Sequence, residues 1–335
     1  MFLATTALDE FWDKDDEIIF LGKWCLRTDR PEVWQSLTYE ILSYAWDDRE
    51  RLDEVIPYLK ESYEHILSEL GTALNTIHGT SHSSLYWRIL VGPWITTYLH
   101  ALYDRYVHLT RALERYPDLQ TWVLESEYYR TPATTVQARD WILEDWYNLQ
   151  LYSQILESVG GSFPSRPLSG EFLLSNGQDT SSGIKERLID GVSRLRMPQT
   201  VAFWAEMVSS KQLLQLSTST ALQVFPWFLQ RPTFRCDHYA VDLRRRLLEI
   251  GGRDAFESVL IDTLPVNIPS IYVENYEALR EYSVRGTELP NTVVSYNWTS
   301  SEAFKCFAAE AQETGSRLIA VQHGGGRGFL KHHPV

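Results

Sequence analysis

One stretch near the end of the chain constrains the fold more than any other. Thr292-Val293-Val294-Ser295-Tyr296 is a short β-branched run, the composition of a buried strand. Ser301 is placed to cap a helix running through Cys306 to Glu313, and Gly315 to close it. Arg317-Leu318-Ile319-Ala320-Val321-Gln322 is a second strand by the same reading. Strand, helix and strand at this spacing predict a right-handed βαβ unit with parallel strands, which excludes an all-helical or all-antiparallel chain.

The second strand runs straight into His323-Gly324-Gly325-Gly326-Arg327-Gly328. Ligands of open parallel sheets bind beyond the carboxyl ends of the strands, so this turn falls where a site belongs. Consecutive glycines let the backbone approach a ligand and turn amide N–H groups toward an anion. Arg327 and Lys331 add positive charge, and His323 has the proton affinity of a general base. The turn lacks the Gly-Lys-Ser/Thr ending of a P-loop, and its glycine spacing is not that of a dinucleotide fingerprint. The bland alternative is a tight turn beside a surface histidine.

The first half reads as helical. Leu52, Val55, Ile56, Leu59, Tyr63, Ile66, Leu67, Leu70, Leu74 and Ile77 recur at three- and four-residue steps, predicting a long amphipathic helix that closes near Gly79. A second helical stretch from Leu85 to Tyr116 should break at Gly92-Pro93. A third is expected from Val136 to Val159, with Thr121–Leu124 as a strand between the two. Glu17–Gly22 predicts a buried strand ending in a glycine turn, and Gly160–Pro167 a linker or surface loop. These readings divide the chain into a helix-rich region, 1–165, and an α/β region, 166–335.

With 44% hydrophobic and 22% charged residues the composition is that of an ordinary globular protein, and no apolar run approaches the roughly 20 residues that span a bilayer. The first residues carry no basic region of a signal peptide, so a cytoplasmic location is expected. A net charge of −13 argues against nucleic acid as the main partner. Cys25, Cys236 and Cys306 are far apart and read as reduced, buried thiols. The aromatic fraction of 13% suits sugar rings, although core packing explains most of it.

Other polar clusters carry weaker signals. His78 and His82 have the i, i+4 spacing of a metal pair, but Gly79 intervenes and no third ligand is evident, so no metal is expected. With Arg88, these histidines could line a cleft for an anionic substrate; capping by His82 or Ser83 explains the cluster equally well. Asp13-Lys14-Asp15 precedes its strand instead of following it and reads as a solvated turn. Asp47-Asp48 reads as a helix cap, and Asp104 with His108 as an internal ion pair.

Taken in order, several segments resemble the transferase family of bacterial O-antigen and surface-polysaccharide gene clusters. They are Phe2–Leu8 with Phe11-Trp12, Phe20–Cys25, Trp46–Arg49, His78-Gly79, Tyr86–Trp94, Tyr103–Tyr106 and Gln322–Gly326. Two positions depart: Lys23 stands where glutamate is usual and Arg327 where tyrosine is usual. The resemblance implies an α/β fold with Rossmann-like parallel units, similar to the N-terminal portion of a two-domain GT-B-like glycosyltransferase. It also implies that members continue past this turn, so that a second such domain is expected beyond Val335. It implies transfer from a nucleotide-sugar donor to a glycan or lipid-linked acceptor, met at the inner membrane face, without a cofactor. His323 would be the base, Gly324, Gly325, Gly326 and Arg327 would hold anionic groups, and His78, His82 and Arg88 would position substrate. A glycerophosphate-type transferase or a non-catalytic carbohydrate-binding fragment are the alternatives.

Overall fold

The computed structural model describes residues 1–169, 201–204, 210–221, 223–226, 239–284 and 289–321. Three short strands open the fold: β1 (Phe2–Ala4), β2 (Ile18–Phe20) and β3 (Tyr39–Ile41), paired in parallel in the order β1-β2-β3. Every residue of β1 and β2 is buried. Such continuous apolar runs mark parallel strands covered on both faces.

Three helices follow before the chain returns to this sheet. The first, α1 (Arg49–His78), starts where the Asp48 carboxylate accepts from the Glu50 and Arg51 amides and ends at Gly79, whose φ of +62° is the left-handed stop expected there. Its Ile66, Leu70 and Leu74 are fully buried, each contributing about 1.5–3 kcal/mol of hydrophobic stabilisation. Ser83 caps α2 (Ser84–Leu90), and the Gly92-Pro93 break separates it from α3 (Gly92–Arg115). Leu3 N–H donates to Gln120 O (2.8 Å), Gln120 N–H to Met1 O (3.2 Å), and Phe2 pairs with Gln120 in parallel. This segment leads into β4 (Val123–Leu124), which pairs in parallel with β5 (Ser165–Arg166). Across the two ladders the order is therefore β3-β2-β1-β4-β5, with strand order reversing between β1 and β4, the pattern of a doubly wound sheet.

Two expectations change in detail. The stretch from 136 to 159 is two helices, α4 (Thr135–Trp141) and α5 (Asp145–Ser158), because the chain turns at 142–144. The loop expected at 160–167 contains β5, since the backbone hydrogen bonds of Ser165 and Arg166 are met by β4.

The second sheet is wholly parallel, in the order β7-β6-β8-β9, from β6 (Val201–Trp204), β7 (Val224–Pro226), β8 (Thr292–Ser295) and β9 (Arg317–Ala320). The helix α6 (Ser210–Ser219) lies between β6 and β7 in sequence. The predicted βαβ unit is present: β8 and β9 pair in register from Thr292–Arg317 to Ser295–Ala320, joined by a helix that Ser301 caps. Between β7 and β8 in sequence lie α7 (Val241–Arg245), α8 (Ala255–Asn267) and α9 (Tyr276–Val284), and the connecting helix of the βαβ unit is α10 (Glu302–Glu313). Residues of α8, α9 and α10 join the core built on β1, β2 and α1–α5, while Phe304 and Phe307 pack with Ala202 and Val293 in a smaller core against the second sheet. No described helix is long and apolar enough to cross a membrane.

Candidate functional site at the carboxyl edges of the sheets

At the carboxyl end of β1, the carbonyls of Ala4, Thr5 and Thr6 are taken by the next segments of chain. Ala4 O accepts from Leu21 N–H (3.0 Å) and from the Cys25 thiol (3.3 Å). Thr5 O accepts from Trp24 Nε1 (3.1 Å) and Thr6 O from Trp12 Nε1 (2.9 Å). Gly22 makes this possible: a Cβ there would lie 2.1 Å from the Trp24 ring. Burial pushes the Cys25 thiol up to about 12, so it is an inert packing group. Ala7 N–H donates to Asp145 at the start of α5 (3.3 Å), and burial raises that carboxyl.

The same edge gathers α3. His108 Nε2 accepts from Ala45 N–H (3.1 Å), which leaves the proton on Nδ1 to donate to Asp104 O (2.8 Å). Burial lowers the imidazole's proton affinity; the expected i, i+4 contact is present, with Nδ1 3.5 Å from the Asp104 carboxylate, alongside the bond to the Asp104 carbonyl. The Asp104 carboxylate accepts from Trp46 Nε1 (2.5 Å). Trp24 and Tyr44 stand edge-on to each other and keep 37% and 48% of their surface exposed. A pocket of about 40 Å3 opens beside them, lined by Leu21, Leu42, Ser43, His108, Arg111 and Arg115. Segments that carried the resemblance (Phe2–Leu8, Phe20–Cys25, Trp46–Arg49 and Tyr103–Tyr106) thus meet at one edge.

At the carboxyl end of β8, the Ser295 hydroxyl accepts from Asn297 N–H (3.0 Å) and Trp298 Nε1 donates to Ser295 O (2.9 Å). Val321 N–H donates to the same carbonyl (2.9 Å), so the chain leaves β9 at this edge. His323, Gly324, Gly325, Gly326 and Arg327 follow and lie outside the described residues.

His78 and His82 come together elsewhere, at the joint of α1, α2, α9 and α10. His78 ends α1; its Nε2 donates to Tyr272 O (2.9 Å) and its ring stacks on Tyr276 at 4.2 Å. His82 stacks on Tyr86 at 3.7 Å, with Nδ1 3.7 Å from Glu313 and Nε2 buried without a partner among the described residues. Burial lowers the proton affinity of both rings. Asn75 holds the connecting loop, accepting from Thr80, from His82 N–H and from Trp87 Nε1. Tyr86 OH reaches Tyr276 (2.9 Å) and Glu310 (3.1 Å), which also binds Arg280. Arg88 points away from both histidines' partners, forking onto Glu64 over the Tyr63 ring. This joint sits against the carboxyl end of α10, whereas the Gly-rich segment is entered from the carboxyl end of β9. The length of α10, about 16–18 Å at 1.5 Å per residue, lies between these two ends.

Among the described residues no three His, Cys, Asp or Glu side chains are arranged to hold a metal ion. Sequence reasoning missed Arg111, Trp24 and Tyr44. The available signal was the basic spacing of His108, Arg111 and Arg115 on α3, but it pointed to a site only once α3 was known to border the sheet.

Among the described residues the fold is that of an α/β protein whose parallel strands open at their carboxyl edges. The family model described as LIC12162 family transferase matches residues 1–334, and the chain belongs to this family of transferases. Neither a curated protein nor a solved structure matches the chain.

Proposed function

We propose that this transferase is a glycosyltransferase, moving a sugar from a nucleotide-sugar donor to a surface-polysaccharide acceptor, either a glycan or a lipid-linked sugar. One observation carries the reading. Strand order reverses twice, between β1 and the Gln120 segment that leads into β4, and between β6 and β8, and each reversal leaves a crevice for a ligand at the carboxyl edge. Two such crevices suit a reaction with two substrates.

In this reading His323 takes the proton of an acceptor hydroxyl as its oxygen attacks the anomeric carbon of the donor. The bond from that carbon to the nucleotide's phosphate oxygen breaks, and the phosphate leaves with the electron pair. Amides of Gly324, Gly325 and Gly326, with Arg327, stabilise the departing negative charge without a metal. His78 and His82 contribute by fixing the joint that supports α10, and Arg88 by its bond to α1.

The full chain incubated with UDP- and CMP-sugars is expected to release free nucleotide. His323→Ala should lower that turnover by roughly 10²–10⁴-fold, the usual worth of a general base, while leaving the melting temperature unchanged. Failure to turn over any nucleotide sugar, or wild-type turnover in His323→Ala, would overturn the assignment. Turnover of CDP-glycerol alone would place the chain with glycerophosphate transferases instead.

A further inference from the structure

The pocket beside β2 and β3 has a chemistry that the proposed reaction can use. His108, Arg111 and Arg115 lie three, four and seven residues apart on α3, so they share one face. Like charges at such spacings repel, and a helix keeps them together at a cost unless anions answer them. Arg115 is answered: its guanidinium is 2.9 Å from Glu40 and lies over the Tyr116 ring. His108 is neutral and bonded to backbone at both nitrogens. Arg111 is half-buried, and among the described residues its guanidinium has neither a hydrogen bond nor an ion pair.

The surroundings fit an anion of one size. Leu21 and Leu42 give the pocket apolar walls, and the exposed Ser43 offers a hydroxyl at its rim. About 40 Å3 is room for a few water-sized groups, since one water takes roughly 10–15 Å3 by the same measure. A phosphate group enters such a space. Tyr44 and Trp24 contact the ring of His108, which lines the pocket, and are partly exposed, the kind of flat surface on which a sugar or base lies. The position is the carboxyl edge of a parallel sheet.

We propose that this pocket is a phosphate subsite, in which Arg111 forks onto the phosphate oxygens, Ser43 and Arg115 bound the rim, and the ring attached to that phosphate rests against Tyr44. The inference rests on the transferase reading for the source of the phosphate, which is either the donor nucleotide or a glycosyl phosphate of the acceptor.

Calorimetric titration of the full chain with UDP, glucose 1-phosphate, inorganic phosphate and free glucose separates these sources. In Arg111→Ala the phosphate-bearing probe that occupies the pocket should bind about tenfold more weakly or worse, because a charge-assisted fork is lost. Arg111→Lys should recover part of the affinity, and binding of glucose should not change. The melting temperature should stay the same, since no described partner is lost. An effect confined to UDP assigns the pocket to the donor, and one confined to glucose 1-phosphate assigns it to the acceptor. Wild-type affinity of Arg111→Ala for every probe, or a wild-type chain that binds no phosphate-bearing probe, would overturn the subsite. Phosphate binding through Arg111 in a chain that releases nucleotide from no sugar donor would keep the pocket and remove glycosyl transfer. Sugar transfer with an unchanged KM in Arg111→Ala would do the reverse.

Discussion

Three histidines are held neutral by burial, and each is tied into a different joint of the protein. His108 fixes the segment at Ala45 to α3, His78 fixes the end of α1 to Tyr272, and His82 stacks against Tyr86. All three bind a proton less readily than an exposed imidazole, whose pKa is about 6.5. Between that value and the lower folded one, the unfolded chain holds more protons than the folded chain, so stability falls as pH drops through the window. Melting temperatures should therefore decrease as the pH is lowered from 7 to 5. His78→Gln, which can still donate to Tyr272 O, should lessen the decrease. A melting temperature that is flat or rises on acidification would contradict this account.

At the scale of elements, α10 is buried on two faces at once. Ala303, Cys306 and Ala309 face the larger core, and Phe304 and Phe307 face the second sheet. The Ser301 cap and Gly315 stop located this helix in the sequence, but they do not say which faces are buried. Phe307 is fully buried, and Phe307→Ala should cost about 3–5 kcal/mol from lost burial and the cavity left behind. Urea unfolding followed by circular dichroism measures it. A loss below about 1 kcal/mol would mean that the second sheet does not depend on this contact.

Across the whole molecule, a buried polar cluster binds the βαβ unit to the first core. Lys305 Nζ is 2.6 Å from Glu302 and donates to Tyr272 OH (2.6 Å) and Thr135 Oγ1 (3.0 Å). Glu302 also accepts from Thr135 N–H (2.7 Å) and from Tyr272 OH (2.6 Å). Burial lowers the proton affinity of Lys305, and the adjacent carboxylate opposes that shift. Removing one charge of such a pair is far more costly than removing both. Glu302→Gln is expected to destabilise by about 3–5 kcal/mol, and Glu302→Met with Lys305→Met to recover most of it. Equal losses for the single and double variants in urea unfolding would rule out a stabilising role for the charge pairing.

How much of this was legible differs by the range of the interaction. Capping by Asp48, Ser83 and Ser301, the stops at Gly79 and Gly315, the break at Gly92-Pro93 and the parallel β8–α10–β9 unit are written within a few residues of where they act. Local hydrogen bonding and dihedral preference decide them, so the sequence by itself determined them. The strands β1 and β3 are three residues long and gave no periodic signal; they exist because distant segments satisfy their backbone groups, as Gln120 does for Leu3. The candidate site follows the same division. A run of glycines after a strand is visible in the letters, whereas Trp24 and Tyr44 meet His108, and His108 and Arg111 line one pocket, only when β2, the segment after β3, and α3 are packed together. Tertiary structure alone decided that Arg88 would meet Glu64, that His78 would meet Tyr272, and that Arg111 would be left without a described partner. These outcomes depend on which elements pack side by side, and neighbouring residues in the chain do not fix that.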